Sequence, residues 1–370
     1  MPITPAVLEW AIEESGLSRA EVAEQIGVAE AQLETWIAGE TKPALTAGRK
    51  LAATLHRQLA VFLLPAPPPS EHVEVNFRHP IGAQHRRELT PEERRFLRRA
   101  KRLQSVAAWL LAELAHESPR LERMSMRDDP EDAGSRWRSR MGVSIADQSG
   151  WPSASAAFDQ WRSAVERLGI TVVQFSMGAD ACRGFSMWDD RSPLVAVNTA
   201  WPDEARSFTL FHEVGHLLTR TDSACATAPM TPHAGDPTER WCEMFAAAML
   251  IPETALSSAT RVDNLAGLAS LARRMHVSIR AMALRLISLG KASWTLYQAI
   301  PPAADLKRRG GAGGTGRNRT EIRVDEFGRR TTELFAAAVR RDVISSSQAL
   351  DYLDIPSGAF DRLAMTTTAG

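Results

Sequence analysis

Cysteine, tyrosine and net charge are all scarce in this sequence. Of its 370 residues 3 are cysteine and 2 are tyrosine, and 44 basic residues balance 44 acidic ones. Cys182, Cys225 and Cys242 form no CxxC pair, and an odd count fits reduced thiols better than a disulfide framework, so thiols buried as small apolar side chains are expected. The balanced charge removes any global field steering the chain to nucleic acid or to a membrane surface. No apolar run approaches the roughly 20 residues of a membrane span. The opening MPITPAVLEWAIEESG has neither the basic start nor the continuous apolar core of a secretory signal. The expectation is a cytoplasmic protein with no membrane partner.

The local distribution is less even. Residues 1–60 hold 5 basic and 8 acidic residues, whereas RRFLRRAKR at 94–102 holds 6 basic residues in 9. The first stretch reads as four helices: VLEWAIEESGL, SRAEVAEQIG, AEAQLETWIAG and a fourth around LTAGRKLAATLH. Ser18 and Glu21 form an S-x-x-E capping box and Gly27 ends the second helix. The tight turn into the third gives a helix-turn-helix pattern. PAPPPSE at 65–71 breaks regular structure, and a helical connector with apolar residues at Phe96, Leu97, Leu103, Ala107, Leu110, Leu111 and Leu114 follows. The basic run at its start reads as a solvated face paired with Glu88, Glu92 and Glu93, or as a contact for phosphate or an acidic partner.

Beyond residue 155 the texture changes to a helix (FDQWRSAVERLG), short strands (ITVVQFSM, FSMWDD, PLVAVNT) and two further helices, FTLFHEVGHLL and ERWCEMFAAAML. Residues 263–290 return to helix, RRGGAGGTGRNR at 308–319 reads as a flexible basic linker, and a last helical segment closes the chain. The fold class is therefore mainly α with a small α+β module, in several domains. The division expected is 1–64 helix-turn-helix, 65–150 linker and connector, 151–255 core module, 256–300 helical accessory segment, and 301–370 Gly-rich linker with a C-terminal helical segment.

HEVGH at 212–216 carries the chemistry. Residues four apart on a helix share a face, so His212 and His216 can offer imidazole nitrogens to one ion, while Glu213, one step round, is placed to act as a base on a metal-bound water. Catalytic zinc takes three protein ligands and keeps one open position. Glu239, at the start of the second helix, is the candidate third ligand, with His233 in the preceding loop as its competitor. Glu243, one turn after Glu239, is placed to hydrogen-bond a ligating histidine or to be an ordinary solvated carboxylate. Both helices are amphipathic, through Phe208, Phe211 and Leu218 on one and Trp241, Phe245, Ala248 and Met249 on the other, so they can pack and bring the ligands together. A purely structural zinc site would have no use for Glu213.

FTLFHEVGHLL followed by ERWCEMFAAAMLIP resembles the ImmA/IrrE family of zinc metallopeptidases. The resemblance implies a zincin-like metallopeptidase module, zinc as cofactor, His212, His216 and Glu239 as its ligands, and Glu213 as general base. Glu243 stands where the family has Asn or Asp. GLSRAEVAEQIGVAEAQLETWIAGETKP and AVFLLPAPPPSE resemble the Xre-type helix-turn-helix and Pro-rich exit of long members, and MHVSIRAMALRLISLG their helical segment after the core. The implied activity is hydrolysis of a peptide bond in a protein partner, a transcriptional repressor by resemblance. PLVAVNT would be an edge strand that receives the substrate backbone. With Tyr297 and Tyr352 both outside the module, His233 is the candidate oxyanion partner. Fusions of this kind also resemble antitoxins encoded beside a toxin gene, which would make the chain a module that binds a toxin and regulates its own operon.

The third helix of the first domain offers Glu30, Gln32, Glu34 and Thr35 and no basic residue. Arg19, Gln32, Lys42 and Arg49 retain some capacity for DNA within residues 1–64. Contact with a protein, including a second copy of the chain as a homodimer, is an equal expectation.

Overall fold

The computed structural model describes residues 1–68, 89–179, 181–221, 223–225, 236–256, 261–302 and 319–355. The expected Gly-rich linker at 308–319, all but its last residue, most of the 221–238 loop, including His233, and the end of the Pro-rich stretch lie outside the described residues. The chain divides into two compact units, residues 1–74 with 87–99, and residues 75–86 with 100–370.

In the first unit, helices α1 (Pro5–Ser15), α2 (Arg19–Ile26), α3 (Glu30–Ile37) and α4 (Leu45–Thr54) are followed by a 3-10 turn at Leu59–Leu63. The expected local signals are present. Ser18 accepts from the Glu21 amide while the Glu21 carboxylate accepts from the Ser18 amide at 2.8 Å, and Gly27 ends α2 in the left-handed conformation. Leu8, Ile12, Val22, Ile26, Leu33, Trp36, Leu51, Leu55 and Phe62 form the core. Helix α5 (Pro91–Glu113) begins in this unit, where Thr90 and Glu93 make a second capping box.

The second unit continues with α6 (Pro130–Met141), α7 (Ile145–Gly150), α8 (Ala154–Arg167), β1 (Thr171–Phe175), β2 (Gly184–Met187), β3 (Leu194–Asn198), α9 (Asp203–Thr219), β4 (Ser223–Cys225) and α10 (Pro237–Leu250). After these come α11 (Leu265–Arg274), α12 (Ile279–Ser288), α13 (Trp294–Gln298), α14 (Arg319–Phe327), α15 (Arg329–Arg340) and α16 (Ser346–Tyr352). The strands form one sheet in the order β1-β3-β2-β4, with β1 parallel to β3 and the other pairs antiparallel.

This order corrects the expectation for PLVAVNT. β3 is an interior strand, hydrogen-bonded on both sides, and cannot receive a substrate strand. All five of its residues are buried, which is the continuous apolar pattern of a strand covered on both faces. The edges are β1 and β4. The outer side of β1 is closed by side chains and by α14: Arg162 Nη2 donates to the Val172 carbonyl at 2.5 Å, and Arg162 Nη1 and Gln174 Nε2 both donate to the Asp325 carbonyl.

One hydrophobic core joins α6, α8, the sheet, α9, α10, α11 and α12. Trp161 meets Phe211 edge-on at 5.1 Å, Trp137 meets Phe245 at 6.3 Å, and Trp241 stacks on Phe245 at 5.4 Å. Leu268, Met282 and Leu286 belong to that same core, so the segment from 263 to 288 packs as part of the module that carries HEVGH. The last turn of α10 is held from outside: Arg138 donates to the Met249 carbonyl, Gln148 to Leu250, and Arg285, itself paired with Glu131 at 2.6 Å, to Ile251. These donors satisfy carbonyls that a helix end leaves without partners. No helix among the described residues is long and apolar enough to cross a membrane.

Candidate metal centre

α9 begins after Pro202 with Asp203 and Glu204 in its first turn, where carboxylates suit the positive end of the helix. Its face from Thr209 to Thr219 is buried against β2, β3 and α10. His212 and His216, one turn apart, turn their Nε2 atoms to within 3.1 Å of each other. α10 is started by Asp236, whose side chain accepts from the Thr238 amide at 2.8 Å, and by Pro237 at the first position. That start puts Glu239 in the first turn, its carboxylate oxygens 3.2 Å from His212 Nε2 and 3.4 Å from His216 Nε2.

These separations test whether a metal fits. Zinc bonds of about 2.0–2.1 Å at tetrahedral angles place neighbouring ligand atoms about 3.3 Å apart. The three donors lie 3.1–3.4 Å apart in the closest pairings and form a group that can hold an ion. Two imidazoles and one carboxylate are also a donor set of the catalytic rather than the structural kind.

The two helices meet at Gly215. A Cβ there would stand 3.0 Å from Cys242 Sγ and 3.2 Å from Cys242 Cα, so a residue without a side chain lets α9 and α10 approach this closely without either having to give. Gly184 on β2 is tighter still against α9, where a Cβ would meet Thr209 Cγ2 at 2.5 Å and Glu213 Cγ at 3.5 Å. The metal ligands thus sit beside a helix crossing fixed by backbone contact.

His216 is oriented from behind. Arg220 ends α9 in the left-handed conformation, at φ 57°, and turns the chain so that the Thr221 amide donates to the His216 carbonyl at 3.0 Å. Thr221 Oγ1 then lies 2.9 Å from His216 Nδ1 and 2.8 Å from Thr219 Oγ1. With the ring hydrogen on Nδ1 pointing at Thr221, the Nε2 lone pair faces Glu239 and is available to a metal. Neither Thr221, Gly215 nor Gly184 was singled out by sequence reasoning. The small residue inside HEVGH was the available signal for Gly215, and nothing local marks Thr221.

Burial works against a charged His212, but the Glu239 carboxylate beside it outweighs this, helped by Glu213 and Glu243, and raises its pKa. Glu239 is in turn held well below the usual carboxylate range: burial opposes its charge, and the two imidazoles that hydrogen-bond it prevail. Glu243 is half-buried one turn along α10 and acts on His212 through its charge. Burial pushes the Cys242 thiol well up, leaving it inert. Glu213 is fully buried, and neither carboxylate oxygen has a hydrogen-bond partner among the described residues. A buried carboxyl group without a hydrogen-bond partner costs free energy unless the site brings it one.

Residues 165–286 match the family model Peptidase_M78, the IrrE N-terminal-like domain. Residues 8–62 match the helix-turn-helix model HTH_3. The chain therefore joins an IrrE-like domain to an N-terminal helix-turn-helix, the fusion its motifs resemble. The first match runs from the last turn of α8 into α12 and contains His212, Glu213, His216, Glu239 and Glu243; as a metallopeptidase family it implies a metal at this site. No curated protein matches the chain.

The helix-turn-helix candidates are distributed differently from the metal ligands. Arg19 is bound to Glu34 at 2.8 Å and to Glu9 at 2.9 Å, so its charge is taken up inside its own domain. Gln32, Lys42 and Arg49 are exposed. His233 lies outside the described residues.

Proposed function

We propose that the protein is a zinc-dependent endopeptidase that hydrolyses a peptide bond in a protein partner, a transcriptional regulator. The observation that carries this reading is Glu213, a buried carboxylate without a hydrogen-bond partner among the described residues, beside two imidazoles and Glu239 set at metal-ligand separations. When bound, zinc would polarise the scissile carbonyl and bring a water to near-neutral pKa. His212, His216 and Glu239 would hold the ion, and Thr221 keeps the His216 ring in the orientation that this requires. Glu213 takes the proton of the attacking water on a carboxylate oxygen and returns it to the leaving amine nitrogen, which supplies its missing hydrogen bond at each stage. The buried surroundings strengthen that proton transfer by excluding bulk water.

A second reading is supported by the first unit. α3 presents Glu30 and Glu34, and the nearest cation, Arg19, is already paired, which favours a protein over a duplex at this helix. The chain would then be an antitoxin that binds and neutralises a toxin encoded by a neighbouring gene and regulates transcription through residues 1–64.

Co-expression with the product of the adjacent gene, as wild type and as Glu213→Gln, followed by intact mass measurement of the partner, separates the two. Cleavage by the wild type alone is expected. An intact partner that co-purifies equally with both forms would replace the peptidase by the antitoxin.

A further inference from the structure

Four arginines of the first unit gather at the C-terminal end of α1. Arg98 Nη1 donates to the Glu14 carbonyl at 2.5 Å. Arg94 lies across Gly16, where a Cβ would stand 2.8 Å from its Cδ and Nε, and its Nε donates to the Leu89 carbonyl at 3.4 Å. Arg57, just after α4, places its guanidinium 4.4 Å over the Trp10 ring and reaches the Glu14 carboxylate only at 4.0 Å. Its Nε is buried without a partner among the described residues. Arg95 rests on Phe96 at 5.5 Å.

The cations act on one another. Burial, then repulsion by Arg57, bring the Arg98 pKa down to about 10, with Glu14 opposing and Arg94 and Arg95 adding to the repulsion. The neighbouring His56 is lowered by burial and by Arg95 and Arg98. Glu14 is the carboxylate facing the group, since Glu93 is engaged in capping α5 through the Thr90 amide. Like charges held together and partly desolvated are relieved by an anion, and the guanidinium fork matches phosphate oxygens two at a time.

We propose that Arg57, Arg94, Arg95 and Arg98 form a binding surface for the phosphate backbone of a nucleic acid. Three of the four lie beyond the helix-turn-helix match, so this contact is separate from base reading by α3. It also accounts for a helix-turn-helix unit whose third helix is acidic: affinity for the backbone comes from α5, and α3 is left to select or to meet a protein.

The test uses the full-length protein and a fluorescent duplex of roughly 20 base pairs and arbitrary sequence, with binding followed by anisotropy as salt is raised from about 50 mM. Wild type is compared with Arg94→Gln/Arg95→Gln, with Arg95→Gln alone, and with Lys42→Gln/Arg49→Gln. The slope of log affinity against log salt is expected to shrink by about 0.9 for each arginine contact removed, hence by about 2 in the double variant. Arg95 rests on one ring and makes no hydrogen bond in the cluster described above, so the single variant reports even if the double variant fails to fold. A slope unchanged in Arg95→Gln, or dependent on Lys42 and Arg49 alone, would overturn the proposal. So would an absence of duplex binding at low salt, or binding of poly-glutamate instead of the duplex, which would make the partner an acidic protein. None of these outcomes bears on peptide hydrolysis, which is read by partner mass.

Discussion

The Glu213 side chain is fully buried and both its oxygens are unpartnered among the described residues, an arrangement that costs the resting fold stability. Glu213→Gln should lower peptide hydrolysis by about 10²–10⁴-fold, the range of a general base, while metal content is unchanged. An amide costs less to bury than an ionised carboxylate, so the melting temperature of the metal-free protein should rise with the same substitution; a fall would mean that the carboxylate has a stabilising partner in the fold. Thr221 has the opposite profile. Its hydroxyl orients His216 at 2.9 Å without meeting substrate, so Thr221→Val should weaken metal binding about 10–100-fold in competition with a chromophoric chelator. An unchanged affinity would remove it from the site. The shared face of the two histidines was legible in the sequence because a spacing of four on a helix fixes it, whereas Glu239 stands on another helix and was a candidate by its place in the first turn of that helix and by resemblance. Thr221 was not, because its place depends on a left-handed Arg220 that no motif announces.

At the scale of elements, the geometry of the site is set where α9 crosses α10. Gly215→Ala would place a methyl group 3.0 Å from Cys242 Sγ and 3.2 Å from its Cα, so the crossing would have to give by a few tenths of an ångström. The helices would have to separate, at about 1–3 kcal/mol of overpacking, and the carboxylate of Glu239 would leave the imidazoles. Metal stoichiometry should fall together with stability in this variant; retention of both would show that the crossing tolerates a side chain. Element identity was readable from period, caps and turn residues: the Ser18 and Glu21 box, Gly27 and the two amphipathic helices all appear where expected. The place of β3 within the sheet was not. Four apolar residues in a row specify a covered strand, but which strands flank it is a matter of long-range pairing, and here β1 and β2 enclose it. The acidic face of α3 was likewise visible, whereas the pairing of Arg19 with Glu34 and Glu9 joins three helices and is legible only in space.

For the whole molecule, all three candidate ligands belong to the second of two compact units. An ion bound only by the folded state stabilises the unit that holds it, by about 4 kcal/mol at a thousand times the dissociation constant. A chelator should therefore lower one melting transition by on the order of 10 °C and leave that of the helix-turn-helix unit where it was. Displacement of both transitions together would mean that the units unfold as one.

The closure of β1 by Arg162 and α14 also bears on how the protein behaves at high concentration. An open strand edge is a template on which another copy can add its own strand. Here the Val172 carbonyl is occupied by a guanidinium and the end of α14 lies alongside. A chain cut before Arg319 would lose α14, and with it half of that guard, while keeping Arg162 and every residue of the metal centre, and its failure would be precipitation rather than inactivity.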